Sequence, residues 1–260
     1  MKLTLCLLIL LLHSSLLAEL EKRTIDVGGT EREYMIHMPE KAKDPPALVF
    51  GFHGHGGRMR SAARSFRLHQ IWPEAIVIYM QGLNTPGKLT DPEGKRPGWQ
   101  SSAGEQGDRD LKFFDAVYES LEGKFDPNNV FAMGHSNGGG FTYFLWGERG
   151  DKFTAMAPSS AANGKVRGKL KPKPILHVAG KEDPLVKFAW QKRMIGELLK
   201  VNGCSSDIKP WHEVEGMETR LYSSPNEGPP VVVVLFTKGG HKFPAEAPEL
   251  MVRFFKEQEK

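Results

Sequence analysis

Apolar residues in this chain fall into short unbroken runs, separated by longer stretches in which they recur every three or four positions. Runs at 47–53, 76–81, 129–134, 154–158, 174–179 and 231–237 have the length and the β-branched or aromatic content of strands buried on both faces. The last, opening Val231-Val232-Val233-Val234-Leu235-Phe236, is the most strand-like. Helical patterns lie near 60–70, 109–122, 138–147, 187–201 and 246–257. Such alternation predicts an α/β fold, a mainly parallel sheet with helices on both faces. Ahead of it, residues 23–27 and 33–38 alternate polar and apolar around Gly28-Gly29, which predicts an N-terminal β-hairpin. Two regions break the alternation. Residues 82–107 are rich in Gly, Pro and charge, carry Trp99, and are too long for a passive connector. Residues 208–224 alternate at Trp211, Val214, Met217 and Leu221, predicting one or two strands before the final one. There is no internal repeat.

The first eighteen residues follow a pattern of their own. Lys2 precedes the ten-residue run Leu3 to Leu12, apolar except at Thr4; His13-Ser14-Ser15 then loosens the run, and Ala18 offers a small residue for cleavage before Glu19. A run of this length is about half of what a bilayer span needs. Residues 1–18 therefore read as a cleaved signal peptide, with an uncleaved anchor as the alternative, and 19–260 as a single domain of a secreted or periplasmic protein without stable membrane insertion. The 260 residues, 40% of them apolar, supply one large core. The net charge of +4 falls to +3 when Lys2 leaves with the leader, too slight to imply nucleic acid, and no basic stripe with interleaved aromatics appears. Cys6 lies inside the leader, so only Cys204 remains and no intrachain disulfide can form. No motif around Cys204 marks it as a nucleophile.

Candidate chemistry gathers where strands give way to loops. Gly134-His135-Ser136-Asn137-Gly138 follows one apolar run and precedes a helical pattern, the context in which G-x-S-x-G forms a nucleophile elbow. The glycines let Ser136 occupy a strained turn without side chains striking the neighbouring strand and helix. Upstream, the run at 47–53 ends in His53-Gly54-His55-Gly56-Gly57, a loop suited to donating an N–H to an oxyanion from the backbone around His55; Asn137 supplies the other. Downstream, the run at 174–179 leads to Lys181-Glu182-Asp183-Pro184, and the final run to Gly239-Gly240-His241. The order Ser136, Asp183, His241 is that of α/β-hydrolases.

The chain resembles the secreted bacterial α/β-hydrolase esterases grouped as polyhydroxybutyrate depolymerases and feruloyl or acetyl-xylan esterases. The resemblance covers nearly all of the mature chain. Arg32, Tyr34 and Pro39 match an opening "R-x-Y-x-x-x-x-P" strand, and Asp110-Leu111-Lys112-Phe113 a "D-V-x-F" helix start. Asp126-Pro127-Asn128-Asn129-Val130 is similar to a "D-P-x-R-V" lead into the elbow. His177 to Val186 resembles the acid loop "H-G-x-x-D-x-x-V", and Gly239 to Pro244 the ending "G-G-H-x-W-P". The chain departs from the pattern at Phe243 for Trp, Asn129 for Arg and Arg109 for Asp, and lacks the cysteine pairs common near the site. The resemblance implies an α/β-hydrolase fold and a serine esterase using Ser136, His241 and Asp183 without metal or organic cofactor. Its substrates would be small-molecule or oligosaccharide esters, feruloyl or acetyl. The alternatives are a polyester depolymerase, a prolyl-oligopeptidase-type peptidase, and a non-catalytic binding protein on a hydrolase scaffold.

Other residues carry competing readings. His53-x-His55 is half of a metal motif, but glycine surrounds it and no Asp-His pair follows. His135 reads as packing beneath the elbow, with catalysis the alternative, and His177 as a hydrogen-bonded residue of a buried strand. Glu182 is the rival to Asp183 as acid. Asp110 reads as a helix cap and Asp126 as a turn residue. Trp99 is either a lid aromatic touching substrate, beside Lys95 and Arg96, or a loop anchor; Phe243 is a second candidate substrate contact.

Overall fold

The structure, a computed structural model, describes residues 20–40 and 45–260. The leader assignment for 1–18 lies outside them. Twelve strands occur among the described residues: β1 (Glu21–Val27), β2 (Thr30–His37), β3 (Leu48–Phe52), β4 (Ile76–Met80), β5 (Leu83–Asn84), β6 (Pro97–Gly98), β7 (Val130–His135), β8 (Ala155–Ser159), β9 (Ile175–Gly180), β10 (Ile208–Lys209), β11 (Met217–Tyr222) and β12 (Val231–Phe236). The α-helices are α1 (Met59–Phe66), α2 (Leu68–Ile71), α3 (Arg109–Glu119), α4 (Asn137–Arg149), α5 (Phe188–Val201) and α6 (Ala247–Lys256).

Ten strands form one sheet in the order β1-β2-β4-β3-β7-β8-β9-β12-β11-β10. The six from β4 to β12 are mutually parallel; antiparallel strands extend the sheet at both edges. β1 and β2 make the expected hairpin, with Gly28 and Gly29 both at positive φ. β10 and β11 are the strands expected within 208–224. The parallel strands are apolar throughout because both faces are covered. Leu48, Phe50 and Phe52 of β3 pack with α3, α4 and α5 on one side, while Val49 packs with α1, α2 and α6 on the other. Among the described residues no helix is long and apolar enough to cross a membrane.

Two expectations need correction, and the segment 82–107 gains an element of its own. The helix near 60–70 is two pieces, because Arg67 takes a left-handed conformation (φ 48°) that ends α1. Residues 82–107 contain the small β5–β6 ribbon, antiparallel at Leu83↔Gly98. Asp110 is not a cap. It lies inside the first turn of α3, fully buried, where one carboxylate oxygen accepts from Arg32 Nη2 (2.9 Å) and the other from Gln100 N–H (2.9 Å). A charge this deep persists because it is paired and hydrogen-bonded. Asp126 is the turn residue expected, accepting from Asn128 N–H. Cys204 is free and half-buried, its thiol pushed upward in pKa by burial.

Four histidines, His53, His69, His135 and His177, are held neutral by desolvation, each with its pKa pushed down to about 4. In the unfolded chain they would take up protons near 6.5, so between about 6.5 and 4 the unfolded state binds more protons than the native one. Stability therefore falls as pH drops through this window. The urea midpoint should decline steadily from pH 7 to pH 5; an unchanged midpoint would show that these rings are not buried neutral.

Candidate active site

Ser136 stands between β7 and α4 with φ 56° and ψ −121°, a conformation costing a non-glycine residue on the order of 1–3 kcal/mol. The surroundings hold it. Its N–H donates to Ser159 O on β8 (2.9 Å), and its carbonyl accepts from Gly140 N–H (2.9 Å). A Cβ on Gly134 would collide with the Gly138 backbone, and one on Gly138 would collide with Phe52 O and His53 O of the β3 end, both well inside 3.0 Å. The two glycines thus let α4 start directly against β7 and β3.

Ser136 Oγ lies 2.7 Å from His241 Nε2, and His241 Nδ1 lies 2.8 Å from Asp183 Oδ2. The three come from the ends of β7, β12 and β9, with β9 beside β12 and two places from β7 in the parallel sheet. Asp183 is buried; its other oxygen accepts from Leu185 and Val186 N–H, both at 2.9 Å. Glu182 is exposed, so of the two rival acids only Asp183 meets His241. A carboxylate can only accept, so His241 carries Nδ1–H towards Asp183 and leaves Nε2 to accept from Ser136.

The loop after β3 lies against the serine, with the Cβ position of Gly54 3.5 Å from Ser136 Cβ. Gly56 N–H donates to Pro97 O (2.7 Å) and Gly57 N–H to Gly54 O (2.9 Å). That leaves Gly54 and His55 as the loop's donors nearest the serine. The His55 ring turns away into residues 87–98, where Nε2 meets Asp91 Oδ2 at 3.0 Å. Asp91 also accepts from Lys95 and Arg96 N–H, so it knots this loop to the His55 side chain. His53 is directed elsewhere: Nδ1–H donates to Gly54 O (2.8 Å), and Nε2 accepts from Gly82 N–H (3.0 Å). Both His53 nitrogens are committed to backbone, and the H-x-H pair does not converge.

Asn137 does more than begin a helix. Its side-chain amide accepts from Trp99 N–H (2.7 Å) and donates to Trp99 O (3.0 Å), pinning the end of residues 82–99 to the elbow. The Trp99 ring is only 1% exposed, stacked on Phe141 and edge-on to Phe52, with Nε1–H donating to His53 O (2.8 Å). It is the loop's anchor, and the expectation of substrate contact is not met. Of the charged neighbours, Lys95 pairs with Glu93, whereas the stem of exposed Arg96 passes over Gly56. Phe243 is half-buried between Phe66 (4.9 Å) and His135 (5.5 Å), so its ring buttresses the His241 loop. His135 supports the same loop, its Nε2 meeting His241 O at 3.0 Å.

Sequence reasoning missed Gln191, fully buried on α5, with Nε2 3.4 Å from Asp183 Oδ2. One signal was available. Gln191 is the polar member of a stripe with Met194, Ile195 and Leu198, at helical spacing on the buried face.

A parallel sheet of this order, carrying a serine on a strained strand-to-helix turn and an acid and a histidine after later strands, is an α/β-hydrolase fold. Among solved structures it is similar to the acetyl xylan esterase from Aspergillus awamori, with TM-score 0.64 and 15% identity, covering 90% of this chain and 98% of that one. No protein-family model matches the chain. In sequence it is similar to a probable feruloyl esterase C of Aspergillus flavus, 29% identical over 183 residues, 67% of this chain and 63% of that protein. It is also similar to feruloyl esterase D of Neurospora crassa, 25% identical over 246 residues, 86% of this chain and 78% of that protein. The chain thus spans a little under two thirds of the feruloyl esterase C relative.

The elbow packing can be tested by adding one carbon. Gly138→Ala should cost about 3 kcal/mol or more, because backbone on both sides has no room to retreat. Gly140, on the same helix with open space around it, should gain up to about 1 kcal/mol as alanine. Urea unfolding of both variants checks this; equal stabilities would refute the tight seating of α4 on β3.

Proposed function

We propose that the chain is a serine carboxylic ester hydrolase acting through an acyl-enzyme, with feruloyl or acetyl esters of polysaccharide fragments as its substrates. The observation that carries this reading is the continuous line of hydrogen bonds from Asp183 through His241 to Ser136 Oγ, at 2.8 and 2.7 Å. His241 Nε2 takes the Ser136 proton as Oγ attacks the ester carbonyl, and Asp183 stabilises the resulting imidazolium. The carbonyl oxygen becomes an oxyanion held by N–H groups of Asn137 and of the Gly54–His55 segment. His241 returns its proton to the departing alcohol; water, activated by the same nitrogen, then releases the acid and restores Ser136. The reading treats 19–260 as one catalytic unit and 1–18 as a leader for export.

The substrate class rests on the similar feruloyl and acetyl xylan esterases. Trp99 no longer argues for an aromatic acyl group, since its ring lies in the core. A panel of acetyl, butyryl, hydroxybutyryl and feruloyl esters, with a polyhydroxybutyrate film beside them, tests the reading. Soluble acetyl or feruloyl esters should turn over far faster than the film clears, and clearing at matching rates would favour the polyester. Ser136→Ala should abolish labelling by a serine-directed phosphonate and lower kcat by three or more orders of magnitude, up to about 10⁶-fold. Unlabelled wild type would instead indicate a binding protein.

The acid can be assigned separately. Asp183→Asn should lower kcat by about 10⁴-fold, because an amide at that position favours the wrong His241 tautomer. Exposed Glu182→Gln should stay within about twofold of wild type. The opposite ranking in kcat would move the acid by one residue.

A further inference from the structure

Behind the acid lies a line of buried polar groups that the ester chemistry does not use. Tyr143 on α4, His177 on β9 and Gln191 on α5 are each fully buried and come from three separate elements. Tyr143 Oη lies 2.6 Å from His177 Nδ1, and His177 Nε2 lies 3.3 Å from Gln191 Oε1. Gln191 Nε2 lies 2.7 Å from Val186 O and 3.4 Å from Asp183 Oδ2.

The directions of these bonds follow from one fixed point. Val186 O can only accept, so the nitrogen of the Gln191 amide must face it, and the amide oxygen must face His177. His177 therefore carries its proton on Nε2 and donates to Gln191. Its Nδ1 is then an acceptor, and Tyr143 must donate to it. Burial keeps both rings neutral, with His177 pushed down to about 4 and Tyr143 pushed well above its ordinary value. Every donor points the same way, towards Asp183. A flipped Gln191 would set its oxygen against two acceptors, Val186 O and the carboxylate.

We propose that Gln191 is a positioning residue for Asp183, and that His177 and Tyr143 act through it by locking the orientation of its amide. The Gln191 N–H reaches Oδ2, the same oxygen that accepts from His241, while Leu185 and Val186 N–H hold Oδ1. Donors on both oxygens fix the plane of the carboxylate, and that plane aims His241 at Ser136. The stripe of apolar residues on α5 could pack with leucine at this position. The amide is there for its direction.

This inference rests on the Ser136–His241–Asp183 reading, and the experiment separates the two. Gln191→Leu should lower kcat on an acetyl ester about tenfold with KM unchanged, the size expected for one lost hydrogen bond to a charged group. The low-field Nδ1–H proton resonance of His241 in the NMR spectrum should shift or broaden in the same variant. Tyr143→Phe keeps the ring packing, removes only the hydroxyl, and should give a smaller loss of the same kind. Because Tyr143 acts through Gln191, the double variant should be no slower than Gln191→Leu alone. A folded Gln191→Leu with wild-type kcat and an unmoved His241 resonance would overturn the proposal, as would strictly additive losses in the double variant. If wild type turns over no ester, the resonance still reports whether Gln191 orders the Asp183–His241 bond, so failure of the esterase reading is told apart from failure of the relay.

Discussion

The contact on which this molecule depends is the seating of the α4 N-terminus on the ends of β3 and β7. Gly138 approaches Phe52 O and His53 O too closely for any side chain, and that closeness holds Ser136 in a left-handed conformation its side chain disfavours. The strain is small beside the many contacts of a parallel sheet covered on both faces, so the fold can sustain it. Everything else in the site is referred to this turn. Asn137 ties residues 97–99 to it, Ser159 on β8 accepts its N–H, and the His53–Gly57 loop lies against it.

Five histidines surround the turn, and their surroundings give each a different task. His53 and His177 are sealed, neutral and spent on hydrogen bonds, one to backbone and one to a buried amide. His55 fastens a long loop through Asp91, and His135 supports the backbone of His241. Only His241 has a carboxylate on one nitrogen and a hydroxyl on the other. The ring is the same in every case; its partners decide whether a proton can move through it.

The strand runs, the hairpin at Gly28-Gly29 and the strand-to-helix context of Ser136 were legible because each rests on local periodicity or on short-range backbone chemistry. Asp183 was favoured over Glu182 by the acid-loop pattern of the resembling esterases and by the following Pro184. Trp99, Phe243 and Asp110 were not, because residue type says what a side chain can do and not which way it faces. A tryptophan in a Gly- and Pro-rich loop suits a lid or an anchor equally well. Here Phe52, Phe141 and His53 O, all distant in the chain, form the slot that takes the ring inward. Asp110 is committed likewise by Arg32, seventy-eight residues away on β2.

The sequence by itself determined the alternation of strands and helices, the glycines that permit the turn at Ser136, and the chain order of serine, acid and histidine. The tertiary structure decided which loops meet, where Trp99 and Phe243 point, and that a buried tyrosine, histidine and glutamine line up behind Asp183. The division has a physical cause. Periodicity and backbone conformation are properties of neighbours in the chain, whereas the direction of a side chain and the polarity of an amide are set by groups that come together only when the sheet has formed.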